Sequence, residues 1–502
     1  MKYLILFIVF LLALMLRFLY FPDNTYFGFD QARDAYESLE IINGNLKVVG
    51  PPTANQVFHH GVLYYYLFAP IYLLSGGNPE AVSVFLRVLN STGIFLVLVI
   101  VYVMFDWIAA IFASFLFAIS YEQTQFSLFL NHPPFAVISV LIFYLGLSLW
   151  IFRKKIRGLI LALFGLGLSI QFEFVEIQLM PIFLLFLLFF RKQLTKVNLK
   201  IIISALIAFL IPVSSYIIYE VKNNFITIRQ IPNLLFHPFS GGGSGSNLSQ
   251  FIFFINRHFH DNLTSVNTLT FLIEILFVVI LIKLILKKIY TKQIIFLLIW
   301  FFGGLLVYFF THNDGYFYNS GTSISILVFT SFLLSKLYHK NKILAFSVLT
   351  IILISNIYLI TNNNPLGPNQ RINPQVGLLL KDEKEVIDFI YQNAKGEEFA
   401  VNALTMPYNV NTTWSYLFEW YGRKKFGYVP VWGGNAAEGF SGNLKIEKAR
   451  SKLPNKRFLI IEPKEGIPAY ISEKFLNEEE IYARTIQKKY FGTLEVWVQE
   501  AK

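Results

Sequence analysis

The chain has 502 residues, of which 55% are hydrophobic, 17% aromatic and only 15% charged, with a formal net charge of +11 and no cysteine. A mean hydropathy of +0.54 excludes an ordinary soluble globular domain. The missing cysteines exclude disulfides and thiolate chemistry, and the positive charge is spread between apolar runs, as a membrane topology requires and a nucleic-acid footprint does not.

The first apolar segment covers 3–21 and contains Arg17; its length, and the lack of a small-residue cleavage site after it, predict a retained anchor rather than a cleaved signal. A first outer loop follows over 22–80. It opens with Phe27-Gly28-Phe29-Asp30-Gln31-Ala32-Arg33-Asp34. Residues four apart share one helical face, so Asp30 and Asp34 can act on one substrate as a general base and its helper. Each also has a structural alternative: Asp30 as a helix cap, Asp34 as an ion-pair partner of Arg33. The loop continues through Gly50-Pro51-Pro52 to His59-His60 and the aromatic run Tyr64-Tyr65-Tyr66. The stretch 61–75 is apolar but short, which predicts a helix lying at the interface. Adjacent histidines point apart and no third ligand is evident beside them, so no metal site is expected.

Ten further apolar runs predict membrane helices at 82–105, 107–121, 135–152, 158–175, 177–190, 199–219, 268–286, 294–311, 320–336 and 342–361, eleven in all with the first. Lys and Arg cluster in alternate connections: Arg153, Lys154, Lys155 and Arg157; Arg191, Lys192, Lys196 and Lys200; Lys283, Lys287, Lys288 and Lys292; Lys336, Lys340 and Lys342. The loops 122–134, 171–178 and 312–319 contain none. The positive-inside rule then predicts a cytoplasmic N-terminus in the plasma membrane, with the Asp30/Asp34 loop and everything after 361 on the outer side. Glu173 and Glu176 fall in an outer hairpin, facing either the site or solvent. The glycine-rich segment 240–246 is expected to be a lid or a tether.

Residues 362–502 predict a small extracytoplasmic α/β domain, beside the membrane domain 1–361. Helical periodicity runs over 382–394, strands are expected at 399–404, 458–461 and 494–498, and the aromatic stretch 416–422 suits a core helix. This part carries no nucleophile triad, metal-ligand spacing or phosphate loop, and an acceptor-orienting or structural role is expected of it.

Several of these features, taken in order, resemble a family. A first helix ending in Arg17-Phe18 leads to an acidic outer loop, then a Leu63-Tyr64-Tyr65-Tyr66 entry and a helix with Val84 and Arg87 near its start. Asn131-His132-Pro133, Gln171-Phe172-Glu173-Phe174 and the closing Phe491-Gly492-Thr493-Leu494-Glu495-Val496 add to the likeness. The pattern resembles the GT-C superfamily of polyprenyl-phosphate-sugar glycosyltransferases, in particular the group of protein O-mannosyltransferases and the lipid A aminoarabinose transferase. The resemblance implies that Asp30 is the catalytic acid position. Many members have Asp-Glu where this chain has Asp30-Gln31, which moves any second-acid role to Asp34. Where several relatives place a lysine before Pro-Pro, this chain has His60-Gly61-Val62, so His60 meets the lipid phosphate as a cation only when protonated.

The chemistry asks for the same residue types. An acceptor hydroxyl or amine must lose a proton to attack the anomeric carbon, which is the role expected of Asp30. The departing lipid phosphate needs positive charge, for which Arg17, Arg33 and Arg87 offer guanidinium forks, with His60 beside them. Tyr64 and Tyr65, with Glu173, are expected to line the substrate space, although packing or interface anchoring also suits the tyrosines, and headgroup snorkelling suits Arg17 and Arg87. No metal or other cofactor is expected, and the resemblance leans the same way. The expected partners are the bilayer, a polyprenyl-phosphate-linked sugar, and a glycan, lipid or protein acceptor, with no nucleic acid. A transporter or flippase of lipid-linked saccharides is the leading alternative; charge deep in the bundle and repeated halves would mark it, and here charge gathers at the outer surface without an internal repeat. An oligosaccharyl transferase or polymer ligase using diphosphate-linked donors ranks lower, because Glu419-Trp420-Tyr421-Gly422 is not the Trp-Trp-Asp-Tyr-Gly-like segment expected of the former.

Overall fold

The computed structural model describes residues 2–53, 58–230, 247–308 and 315–502. The glycine-rich segment 240–246 lies outside the described residues. Every apolar run of the sequence carries a helix: α1 (Lys2–Phe18), α4 (Pro79–Met104), α5 (Trp107–Ile119), α7 (Pro133–Arg153), α8 (Gly158–Phe172), α9 (Leu179–Phe189), α10 (Leu199–Lys222), α12 (Asn267–Leu286), α13 (Thr291–Leu305), α14 (Ile324–Lys340) and α15 (Lys342–Asn363). Among the described residues five of these, α4, α7, α10, α12 and α15, are by themselves long and apolar enough to cross a membrane; the others are shorter. The chain is an integral membrane protein. The segment between α1 and α4 contributes α2 (Phe29–Ile42) and α3 (Leu63–Ser75), and two further helices join the bundle, the wholly buried α6 (Tyr121–Leu128) and the amphipathic α11 (Asn247–Leu263).

Small residues let the helices approach closely. A Cβ on Gly146 of α7 would come within 2.3 Å of the Ala162 nitrogen on α8, and one on Gly165 within 2.4 Å of the Phe143 nitrogen. Tyr144 stacks on Trp300 with ring centroids 3.9 Å apart, tying α7 to α13. Two arginines close helix ends inside the bundle. The last carbonyls of a helix have no partner within it. Arg17 donates to the Phe117 and Ala118 carbonyls at the end of α5, at 3.3 and 3.0 Å, and to Asn90 Oδ1 at 2.7 Å. Arg87 donates to the carbonyl of Arg17 at the end of α1, to Ser83 Oγ at 3.0 Å and to Asn24 Oδ1 at 2.8 Å.

The C-terminal part is a five-stranded sheet of order β2-β1-β3-β5-β4, with β1 (Phe399–Leu404), β2 (Val431–Trp432), β3 (Lys456–Ile461), β4 (Ala483–Phe491) and β5 (Leu494–Ala501). β1 runs parallel to β2 and β3, while β5 is antiparallel to β3 and β4. Strand β1 is buried along its whole length, as the run Phe-Ala-Val-Asn-Ala-Leu allows. The helix expected over 382–394 is α16 (Leu380–Ala394).

This part is seated on the segment between α1 and α4. Tyr26 forms an antiparallel bridge with Leu379, Leu380 N donates to the Thr25 carbonyl at 2.8 Å, and Tyr416 OH donates to the Gly77 carbonyl at 2.6 Å. The Tyr416 ring packs edge-on against Tyr36 at 5.2 Å and beside Phe27 at 5.4 Å. One continuous apolar cluster therefore joins α2 and α3 to the sheet.

Candidate active site

Helix α2 begins at Gly28, where Gln31 folds back: its Oε1 accepts from the Gly28 backbone N at 3.1 Å, one half of a capping box. Gln31 Nε2 reaches the Leu130 carbonyl at 3.3 Å, so Gln31 fastens the acidic helix to the loop before α7. Asp30 sits in the first turn, where a carboxylate suits the helix dipole.

The two carboxylates differ in environment. The Asp30 side chain is 47% exposed and accepts from Arg33 Nη1 at 2.6 Å. Asp34 is 1% exposed, and its Oδ1 accepts from Arg33 Nε at 3.0 Å, Arg33 Nη2 at 2.8 Å, Tyr64 OH at 3.1 Å and Tyr65 OH at 3.2 Å. Its Oδ2 is buried with no hydrogen-bond partner. Burial pushes the Asp34 carboxyl up to about 6, against the opposing pull of Arg33. For Arg33 burial works against the charge, but Asp34 and Asp30 outweigh it and hold the guanidinium ionised. Three of its five N–H donors serve the two carboxylates, leaving two.

Beside this cluster stands a second one. His60 ends a hairpin in which Gly50 N donates to the His60 carbonyl at 2.8 Å and His60 N to the Pro51 carbonyl at 2.9 Å. His132 precedes the Pro133-Pro134 start of α7, its backbone N held by Asn131 Oδ1 at 2.8 Å. Glu173 follows α8. His60 Nδ1 lies 3.3 Å from Glu173 Oε1 and His132 Nδ1 lies 3.2 Å from Glu173 Oε2. The imidazole rings face each other at 4.2 Å, and Tyr64 touches His132 at 5.2 Å, which joins this cluster to Asp34. Burial pushes both histidines down to about 3 and lifts Glu173 to about 7. Glu176, also buried, is raised well above the usual range by burial and by Glu173.

The structure thus brings together Asp30, Arg33, Asp34, Tyr64 and Tyr65, with His60 and Glu173 alongside. Two sequence expectations change. Arg17 and Arg87, expected at a lipid phosphate or snorkelling to headgroups, are 1% and 0% exposed and spend their donors on protein carbonyls and amides. His60, expected as a cation for the same phosphate, is neutral near pH 7 because it is buried. Of the two orientations left open for Glu173 and Glu176, the buried one is found. Sequence reading also missed His132 as a site residue. Its signal was present in Asn131-His132-Pro133, but nothing in the chain's order pairs it with His60.

Comparison with known proteins bears on the whole arrangement. No protein-family model and no curated protein sequence matches the chain. Its fold is that of ArnT from Cupriavidus metallidurans, solved bound to undecaprenyl phosphate, with a TM-score of 0.63 at 11% identity, over 98% of this chain and 97% of that one. It is also similar to the oligosaccharyltransferase of Archaeoglobus fulgidus tethered with an acceptor peptide containing the NVT sequon, with a TM-score of 0.52 at 14% identity, over 80% of this chain. The chain spans 61% of that oligosaccharyltransferase. AglB from the same organism, in complex with an inhibitory peptide and a dolichol-phosphate, gives a TM-score of 0.51 at 15% identity, over 98% of this chain and 74% of that one. The architecture is therefore the GT-C fold.

Proposed function

We propose that the chain is a membrane glycosyltransferase that moves a sugar from a polyprenyl-phosphate carrier to an acceptor at the outer face of the membrane. The observation that carries this reading is the Asp30–Arg33–Asp34 cluster, in which one carboxylate opens to solvent and the other is buried and tied to two tyrosines. Asp30, open to an incoming acceptor, takes its proton; the acceptor oxygen or nitrogen bonds to the anomeric carbon as the bond from that carbon to the phosphate oxygen breaks, with inversion. The electron pair leaves on the lipid phosphate, and the two remaining N–H groups of Arg33 face that charge. Asp34 and its tyrosines fix the orientation of Arg33. Binding of undecaprenyl phosphate and dolichol-phosphate by proteins of the same fold supports a lipid-linked donor.

The test is sugar transfer, or donor hydrolysis, with a panel of radiolabelled polyprenyl-phosphate and polyprenyl-diphosphate sugars in reconstituted membranes. Asp30→Asn is expected to lower turnover by about 10²- to 10⁴-fold while the protein stays folded. Equal turnover in both proteins would remove Asp30 from the chemistry. Movement of donor across vesicles without covalent transfer would favour a flippase.

A further inference from the structure

The second cluster has an unusual electrostatic state. His60 Nδ1, His132 Nδ1 and Glu173 Oε2 are all buried, point toward one another, and have no hydrogen-bond partner. Their contacts of 3.3 and 3.2 Å are close, yet neither has hydrogen-bond geometry. Leaving three such atoms unsatisfied in a dry site is costly, by about 1–3 kcal/mol for each group. A single cation at their centre would satisfy all three.

We propose that His60, His132 and Glu173 bind one divalent transition-metal ion of the zinc type. One ligand atom from each residue lies within 4.8 Å of the others. Zinc holds nitrogen and carboxylate oxygen at about 2.0–2.2 Å in a tetrahedron, whose edges are then about 3.3 Å. His60 Nδ1 lies 3.3 Å from Glu173 Oε1 and His132 Nδ1 lies 3.2 Å from Glu173 Oε2, so each imidazole stands about one such edge from an oxygen of the carboxylate. Two imidazoles and one carboxylate make a borderline donor set, which favours zinc over magnesium or calcium with their all-oxygen shells.

The backbone is built for this meeting. Gly61 approaches the Gln171 carbonyl so closely that a Cβ would stand 2.1 Å from it, which brings His60 against the segment carrying Glu173. Asn131 and the Pro-Pro start of α7 hold His132 from the other side. Three protein ligands leave a fourth position for water or an anionic oxygen. Because Tyr64 touches both His132 and Asp34, that position adjoins the acid–arginine cluster. The binding claim itself does not rest on the transferase reading.

The experiment uses full-length protein without a polyhistidine tag, in nanodiscs, stripped with chelator and dialysed against micromolar ZnCl2 or MgCl2. Metal content by mass spectrometry is expected to be one zinc per chain, with no stoichiometric magnesium. Glu173→Gln, which keeps the side-chain shape, and His132→Ala are expected to bind zinc at least about tenfold more weakly. His59→Ala is expected to bind as wild type does, since His59 packs beside Tyr219 at 5.2 Å. Cobalt substituted into wild type is expected to give the strong visible bands of a tetrahedral site, lost in Glu173→Gln. Wild-type protein that takes up no stoichiometric zinc and gains no thermal stability from it would overturn the proposal, whatever its transfer activity. So would full zinc binding in both ligand variants.

Discussion

Gly61 and Gln171 touch through their backbones, with so little room between them that any side chain at 61 would overlap the Gln171 carbonyl and its amide group. This contact sets the distance between the segment that joins α2 to α3 and the end of α8. It places His60 within reach of Glu173 although 113 residues separate them in the chain.

Gly61→Ala is therefore expected to force the hairpin away from α8. Overpacking of this kind typically costs about 1–3 kcal/mol. Thermal unfolding in detergent should register that loss, and transfer activity should fall further than the loss of folded protein explains. A variant with wild-type stability and activity would show that the loop tolerates the displacement.

Arg33 offers a sharper test of the acid–arginine cluster. Removing one partner of a buried ion pair strands the other, at about 3–5 kcal/mol. Arg33→Met should accordingly be strongly destabilised through Asp34, whereas Arg33→Met combined with Asp34→Asn should recover part of that loss. Additive effects in the double-mutant cycle would mean that the two side chains act independently.

Acidification should act on the same pair. The Asp34 carboxyl is held near 6, above its ordinary 3.8. Its contribution to stability is therefore present below about 3.8 and lost as pH rises through about 6. Activity moves the opposite way: below pH 6 Asp34 gains a proton, loosens its hold on Arg33, and turnover falls. Asp34→Asn is expected to be less active at neutral pH and to lack this acidic limb. A wild-type acidic limb that persists unchanged in Asp34→Asn would assign it to another group.

A separate pH signature belongs to the C-terminal sheet. Glu462 accepts from Gln375 Nε2 at 3.0 Å, Met406 N at 3.1 Å and Trp414 Nε1 at 3.0 Å. Burial, opposed by these bonds, raises it to about 7 from 4.5. Its contribution is present below pH 4.5 and lost as pH rises through 7, amounting to about 3 kcal/mol across that window. Hydrogen exchange in β1 and β3 should slow between pH 8 and 5.5, after correction for the intrinsic rate, and Glu462→Ala should flatten the trend.

Much of this molecule can be read from the order of its residues. The eleven apolar runs each located a helix, and the spacing of Asp30 and Asp34 placed them on one short helix, though not which of the two is buried. Strand β4 was missed because Gln487, Lys488 and Lys489 give it a polar, exposed edge that lacks a strand's apolar alternation. Arg17 and Arg87 were misplaced for a different reason. A sequence displays a charge near a helix end, but not the unpaired carbonyls of neighbouring helices that claim it. His132 was invisible as a partner because the cluster draws on positions 60, 132 and 173, which only the close packing of α7 on α8 and the Gly61 contact bring together.

The seating of the sheet on the segment around α2 and α3 also has a consequence in time. Tyr26, Phe27 and Tyr36 leave the ribosome early, yet their covering partners Leu379 and Tyr416 are made more than 300 residues later. Until then the acidic helix stands with one apolar flank bare, and a chain cut short before residue 378 never covers it. The C-terminal sheet thus completes the cover of the acidic helix, and a copy whose synthesis stopped before it would lack that cover.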